Sequence, residues 1–257
     1  MAETVTTTIE SSGFPPILSP HYRGVAGESA LLAAIDGARA GRLGAADVLW
    51  CGERGRAELA IVLEPEVDAD RCCELLAVMF LAVADCLGAL MPPQTAVYLR
   101  WPATVLVNAG DAGRIGLALA EPGEDGTPDW AVVGVRLQLA SLADERAPGQ
   151  NVDVTSLAEE GGAALSAATL LPAIAAHFLV WLDRWQEHGF AALQVPLFAR
   201  TEGSDAPALI RHGSRSLVAT VVALEEGLRA RVAPADGSGA CTLPLRDVLG
   251  DVREALA

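Results

Sequence analysis

The segment RWPATVLVNAGDAGRIG, residues 100–116, contains most of the information about the fold. Two apolar runs rich in β-branched residues flank residues 110–113, whose Gly-Asp-Ala-Gly composition is typical of a turn. We therefore expect strands at 105–109 and 114–120, and because the turn between them is short, they should pair antiparallel. A further strand at 95–101 leads into this hairpin.

Upstream of this segment, the pattern predicts two helices and a second hairpin. A stretch rich in Ala and Leu at 28–40 is typical of a helix, and Gly41 ends it. Two short apolar runs at 47–51 and 57–63 predict a hairpin with a glycine-containing turn. The stretch at 68–90 is apolar on most faces, so we expect a long helix at the centre of the fold.

Downstream, the pattern predicts one more strand, one more long helix and then a linker followed by short strands. The strand is expected at 130–139 and the helix at 165–188. The run Gly-Ser-Asp at 203–205 is typical of a linker. Beyond it, short strands separated by turns indicate a small β-barrel. These strands are expected at 216–224, 228–234 and 241–245.

This order of elements predicts an α+β fold, with a mixed sheet and packed helices followed by a small C-terminal β domain. We expect a disordered N-terminus at 1–12, a main domain at 13–203 and the β domain at 206–257.

Composition limits the partners. The 257-residue chain has a formal charge of −15, and all 18 of its cationic residues are Arg, with no Lys anywhere. Nucleic-acid binding needs clustered cations, so DNA and RNA are not expected, nor is an anionic membrane surface. The apolar run at 75–84 is too short to span a bilayer. The first residues lack the pattern of a signal peptide, and five unpatterned cysteines indicate no disulfide framework, so we expect a cytoplasmic protein.

With these elements in this order, the sequence resembles the biotin/lipoate A/B protein ligase family, in a divergent branch of unsettled activity. Arg100-Trp101-Pro102 is similar to the family's KWPND segment, and the hairpin 105–116 to its K-x-x-G-I-L hairpin. The strand 130–135 is similar to its V-V-G-x-G-x-N strand, and the helix through Trp181 and Trp185 to its last helix. The resemblance covers roughly 14–200, and the tail is similar to the family's SH3-like C-terminal domain.

The resemblance implies a chemistry. In the family, ATP with Mg²⁺ activates the carboxylate of biotin or lipoate as an acyl-adenylate, and a lysine of a carrier protein takes the acyl group. Arg114 matches the family's hairpin lysine, which makes it the candidate catalytic residue. The expected ligand-binding residues are Arg100, Trp101, Pro102, Asn108, Gly116, Arg54 and Arg56. The residue types also permit structural roles, with Trp101 in the core and Arg114 as an exposed hairpin residue.

Three departures from the family bear on that chemistry. Ala103 and Thr104 stand where the family has Asn and Asp, and neither can supply a carboxylate to Mg²⁺. The long glycine-arginine loop is reduced to residues 52–56. Cys51 beside this loop raises the alternative of a thioester intermediate, against a cysteine simply packed in the sheet. No His or Cys cluster has the spacing of a metal site, so none is expected.

Three hypotheses follow. The first is a protein of the ligase fold with altered or lost catalysis, which keeps a pocket for a small carboxylate ligand or an acyl-carrier protein domain. The second is an active, AMP-forming biotin or lipoate ligase in which Arg replaces Lys. The third is a non-catalytic interaction module, against which a pocket lined by Arg100, Trp101 and Arg114 would count. Homodimerisation is left open.

Overall fold

The computed structural model describes residues 13–23, 29–53, 55–141, 153–212 and 215–248. The expected disorder at 1–12 and the candidate residue Arg54 lie outside them. The helices are α1 Ala30–Arg39, α2 Ala69–Cys72, α3 Leu75–Leu90, α4 Ala167–His188 and α5 Ala191–Phe198. The strands are β1 Ser19–Tyr22, β2 Asp47–Glu53, β3 Arg56–Leu63, β4 Val97–Arg100, β5 Thr104–Val107, β6 Gly110–Leu119, β7 Ala131–Gln138, β8 Ala208–His212, β9 Arg215–Glu225, β10 Arg229–Pro234 and β11 Cys241–Leu243.

Strands β1 to β7 form one mixed sheet, which confirms the predicted α+β class. Their order is β1-β2-β3-β7-β6-β5-β4, with β1 parallel to β2 and every other neighbouring pair antiparallel. Strands β8 to β11 form a separate antiparallel sheet in the order β11-β10-β9-β8. Closure of this second sheet into an SH3-like barrel, and the domain boundaries, stay predictions.

Helices cover both faces of the large sheet, which explains the continuous apolar runs of its central strands. On β3, Leu59 and Ile61 face the layer of α3 and α4, whereas Ala60 and Val62 face α1. Helix α1 begins after Ser29, whose hydroxyl accepts from the backbone N–H of Leu32 at 3.5 Å. Among the described residues, the stretch Ala69–Leu90 is apolar enough to cross a membrane, but 78% of it is buried inside the fold.

The structure differs from the expected elements in two instructive places. The turn of the β5–β6 hairpin lies at Asn108 and Ala109, both with positive φ, and not at 110–113. A two-residue hairpin turn needs this backbone, which Asn tolerates, so residues 110–113 join strand β6 instead. The predicted helix at 68–90 is also interrupted, between α2 and α3. Helix α5 and strand β8 were not predicted.

The interruption between α2 and α3 places a buried carboxylate where the two sheets meet. Glu74 is 0% exposed. One of its oxygens accepts from the backbone N–H of Gly227 at 2.9 Å. The other accepts from Trp185 Nε1 at 2.5 Å and from Arg71 Nε at 3.2 Å. Gly227 belongs to the short turn between β9 and β10, so Glu74 fastens the C-terminal sheet to the main body.

Replacing Glu74→Gln is expected to lower the free energy of unfolding by about 2–3 kcal/mol. An amide that accepts from Trp185 must direct its NH₂ group at the N–H of Gly227, which leaves a buried donor unsatisfied. Urea unfolding measures the difference, and Glu66→Gln, at an exposed position, is the matched control. Equal stability of the two variants would contradict this role of Glu74.

Candidate functional site

A row of side chains crosses six strands of the large sheet in register, on the face that carries α1. Each member is the direct cross-strand partner of the next, and we call this set the transverse row. Its members are, from β4 to β2, Arg100, Thr104, Arg114, Arg136, Glu58 and Cys51. The strand order therefore brings together residues that are far apart in the chain.

Every guanidinium of the transverse row holds a carboxylate of the chain itself. Arg114 donates to Thr104 Oγ1 and to Asp111 Oδ2, both at 2.8 Å. Arg136 Nε donates to Glu58 Oε1 at 2.7 Å. The third pair is the two-bond contact of Arg100 with Glu202, at 2.5 and 2.8 Å. Three cations thus face three carboxylates, so the row together with Asp111 and Glu202 has no net charge.

Glu58 also occupies the positive end of α1. Its second oxygen accepts from the backbone N–H of Ala30, the first residue of the helix, at 3.0 Å. A carboxylate is favoured there because the unpaired N–H groups of a helix start carry partial positive charge. The residue is 4% exposed, and the guanidinium of Arg136 and this N–H compensate the carboxylate inside the fold. The anion position at the start of α1 is filled by the protein itself.

Next to the charged residues, the same face has a strip of very small ones. Gly116 of β6 is the cross-strand partner of Gly134 of β7, which pairs in turn with Ala60 of β3. A Cβ at Gly134 would lie 2.8 Å from the carbonyl oxygen of Leu59 and 3.0 Å from Leu31 Cδ1. Since such contacts are too short, glycine at 134 allows α1 to lie close against the sheet.

The structure brings together some of the predicted site residues. Arg114, Arg100 and Gly116 share the α1 face of the sheet, and Arg56 lies on that face two residues before Glu58. The hydrogen bonds to Glu202 raise the pKa of Arg100 above its ordinary value. Arg100 is therefore committed to this carboxylate.

The other predicted site residues make contacts that stabilise the fold. Trp101 is 2% exposed, donates from Nε1 to the carbonyl of Leu228 at 3.1 Å and stacks on His212, so its ring contacts the C-terminal sheet. Pro102 follows it and is half-buried. Asn108 occupies the hairpin turn, where its side chain donates to Glu160 at 2.6 Å. A common pocket of Arg100, Trp101 and Arg114 is not formed by these contacts.

Sequence reasoning missed Glu58, Arg136, Asp111 and Glu202 as members or partners of the row. A signal was present for Glu58, since a carboxylate inside the apolar run AELAIVL must find a cation or a donor when that strand is buried. Arg136 gives a matching signal, because a guanidinium inside the buried strand AVVGVRLQ must find a carboxylate or another acceptor. The sequence did not show that these two residues are partners.

Comparisons with known proteins agree with this architecture. The model of the biotin/lipoate A/B protein ligase family matches residues 14–196. A biotin--[acetyl-CoA-carboxylase] ligase from Paracoccus denitrificans is 28% identical over 216 residues, 83% of this chain and 85% of that protein. A biotin protein ligase-like protein of unknown function from Silicibacter sp. TM1040 is 29% identical, with a TM-score of 0.80 over 92% of this chain and 98% of that one.

A biotin protein ligase from Aquifex aeolicus, in complex with biotin and ATP, has the same fold with 14% identity. Its TM-score is 0.65, over 88% of this chain and 93% of that chain.

The cysteines offer a test of whether a thiol of this face is reactive. Cys72, Cys73 and Cys86 are buried, and burial raises the pKa of each thiol to about 12. Cys51, in the transverse row, is also buried, whereas Cys241 is exposed. At pH 8 we expect a maleimide to label Cys241 at least about a hundredfold faster than the others, as peptide mapping would measure. A Cys241→Ser variant should lose the fast phase, and rapid labelling of Cys51 would contradict its assignment as a packed residue.

Proposed function

The chain belongs to the biotin/lipoate A/B protein ligase family, and from this premise we propose that it binds a small carboxylate ligand at the transverse row without ATP-dependent transfer of it. The observation that carries the proposal is the internal neutralisation of the row, in which Arg100, Arg114 and Arg136 each hold a carboxylate of the chain.

This neutralisation opposes the binding of a triphosphate. Formation of an acyl-adenylate requires cations that offset the charge of the phosphates as the bond to the leaving group breaks. Here the chain's own carboxylates already offset the charge of each guanidinium, and Glu58 already occupies the start of α1. A nucleotide would have to displace several carboxylates at once, and each would lose its partner.

The residues present do not fit a magnesium ion that would hold such a triphosphate. Ala103 is buried and has no ligand atom, and the hydroxyl of Thr104 accepts from Arg114. The carboxylates of Asp111 and Glu58 both contact guanidinium groups, whose charge repels a metal cation. Among the described residues, no group of three or more His, Cys, Asp and Glu side chains could hold a metal ion.

A monocarboxylate fits the site better. The side chain of Arg114 is 43% exposed, so a ligand can approach it from solvent. A ligand carboxylate that takes the place of Asp111 on this guanidinium displaces one carboxylate, whereas a triphosphate would displace several. The strip of Gly116, Gly134 and Ala60 beside it has little side-chain bulk to compete with the body of the ligand. Biotin, which the Aquifex aeolicus structure contains, has a single carboxylate of this kind.

The second candidate is an active, AMP-forming biotin or lipoate ligase that uses Arg in place of Lys and modifies a carrier protein. The identity of 28% to a biotin--[acetyl-CoA-carboxylase] ligase, over 85% of that protein, favours it. An arginine grips a carboxylate with two bonds but places its charge differently from an amine. The third candidate is an interaction module that acts through the C-terminal sheet, with or without a second copy of the chain.

Calorimetric titration with biotin, lipoate and octanoate is expected to show binding of at least one of them. Arg114→Gln should weaken that binding about tenfold, or about 1.4 kcal/mol, because the charged partner of the carboxylate is lost. Arg39→Gln, on an exposed arginine of α1, is the matched control. We expect neither heat on addition of ATP with Mg²⁺ nor transfer to a carrier protein, and formation of an acyl-adenylate would overturn the proposal in favour of an active ligase.

Asp111→Asn tests the same idea in the opposite direction. It removes the internal competitor for Arg114, so affinity for the carboxylate ligand should rise several-fold. Unchanged affinity in both Asp111→Asn and Arg114→Gln would show that the ligand does not bind at the transverse row.

A further inference from the structure

A cavity of about 590 Å³ is lined by residues of α1, of the turn that follows it and of the first two strands. None of its lining residues belongs to the row. The volume is in the range of cavities that hold small molecules, roughly 300–1,000 Å³. The cavity is lined by His21, Arg23, Ser29, Leu32, Ala33, Asp36, Gly37, Arg42, Leu43 and Leu49.

The lining combines cationic groups with an apolar wall. Its lining residues include two arginines, Arg23 and Arg42, and one carboxylate, Asp36, although the whole chain has a charge of −15. The side chain of Asp36 is 71% exposed, and its Oδ1 lies 3.8 Å from Nη1 of Arg39, so the carboxylate points to solvent. The apolar wall is formed by Leu32, Ala33, Leu43 and Leu49. A cavity of this kind favours an anion that has an apolar body.

Arg42 is a cation of the lining with little internal compensation. Its guanidinium donates to the backbone carbonyl of Asp36 at 3.4 Å, and within the described part of the chain no carboxylate pairs with it. This is the opposite of the transverse row, where each guanidinium has a carboxylate. His21, by comparison, contacts Asp47 Oδ1 at 2.8 Å. Arg42 therefore offers its charge to a ligand in the cavity.

The backbone holds Arg42 at the cavity. Gly41, with φ of 63°, reverses the chain after α1, and the N–H groups of Arg42 and Leu43 both donate to the carbonyl of Gly37. Leu43 packs directly on Gly37, where an added Cβ would lie 2.3 Å from Leu43 Cδ1. The turn is thus fixed against the helix, and the cavity is formed before any ligand arrives.

We propose that this cavity is a second binding site, which takes a small organic anion with an apolar body. Arg42 binds the anionic group, and the wall of Leu32, Ala33, Leu43 and Leu49 covers the apolar part. The site is independent of the proposed function, because it shares no residue with the transverse row and needs no ATP or carrier protein.

The test uses 8-anilinonaphthalene-1-sulfonate, an organic anion with an apolar body whose fluorescence rises on transfer from water to an apolar surface. Titration of the full chain should show saturable binding. Arg42→Gln is expected to weaken it about tenfold, and Ala33→Phe to abolish it by filling the cavity. Arg39→Gln, at the last residue of α1, and Arg114→Gln, in the transverse row, should each change the affinity less than twofold.

Circular dichroism first establishes that each variant is folded, and Arg42→Gln changes only an exposed side chain. Unchanged affinity in both Arg42→Gln and Ala33→Phe would overturn the proposal. An equal loss in Arg114→Gln would also overturn it, because the probe would then occupy the transverse row. Failure of this test leaves the titrations of biotin, lipoate and octanoate unaffected, since those depend on Arg114.

Discussion

The ion pair between Glu58 and Arg136 is the interaction on which the arrangement of this protein depends. It joins β3 to β7 at the centre of the large sheet, and the free oxygen of Glu58 holds the first residue of α1. Leaving either charge alone inside the fold would be costly, since an uncompensated buried charge destabilises by several kcal/mol. The pair therefore fixes the register of the central strands and the position of α1 together.

The same pair determines what the neighbouring face can do chemically. Because Arg136 is committed to Glu58 and Arg114 to Asp111, the row lacks the surplus positive charge that a triphosphate requires. It retains one guanidinium, that of Arg114, which is accessible to solvent and can exchange one carboxylate for another. The family's fold is kept, and the paired charges of the row support the proposal of a singly charged ligand.

Arg42, in the turn after α1, has no carboxylate partner within the described part of the chain. The two sites thus differ in one physical respect. At the transverse row a ligand must compete with an internal carboxylate, whereas at the cavity the cation faces an apolar wall and one solvent-directed carboxylate. Helix α1 contributes to both, through the N–H of Ala30 at the first and through Leu32, Ala33 and Asp36 at the second.

The amino-acid pattern is sufficient to predict the α+β class, most helices and strands, the family resemblance, and the absence of any lysine from the chemistry. Alternating apolar residues fix which face each side chain of a strand takes, and local turns fix which neighbours pair. The folded chain was needed to show that Glu58 meets Arg136, 78 residues away, and that Glu74 meets Gly227, 153 residues away. Such contacts depend on the order of strands in the sheet and on how the two sheets pack, and local periodicity contains no information on either. For that reason the sequence predicted Arg100 and Arg114 as site residues but not the carboxylates that neutralise them.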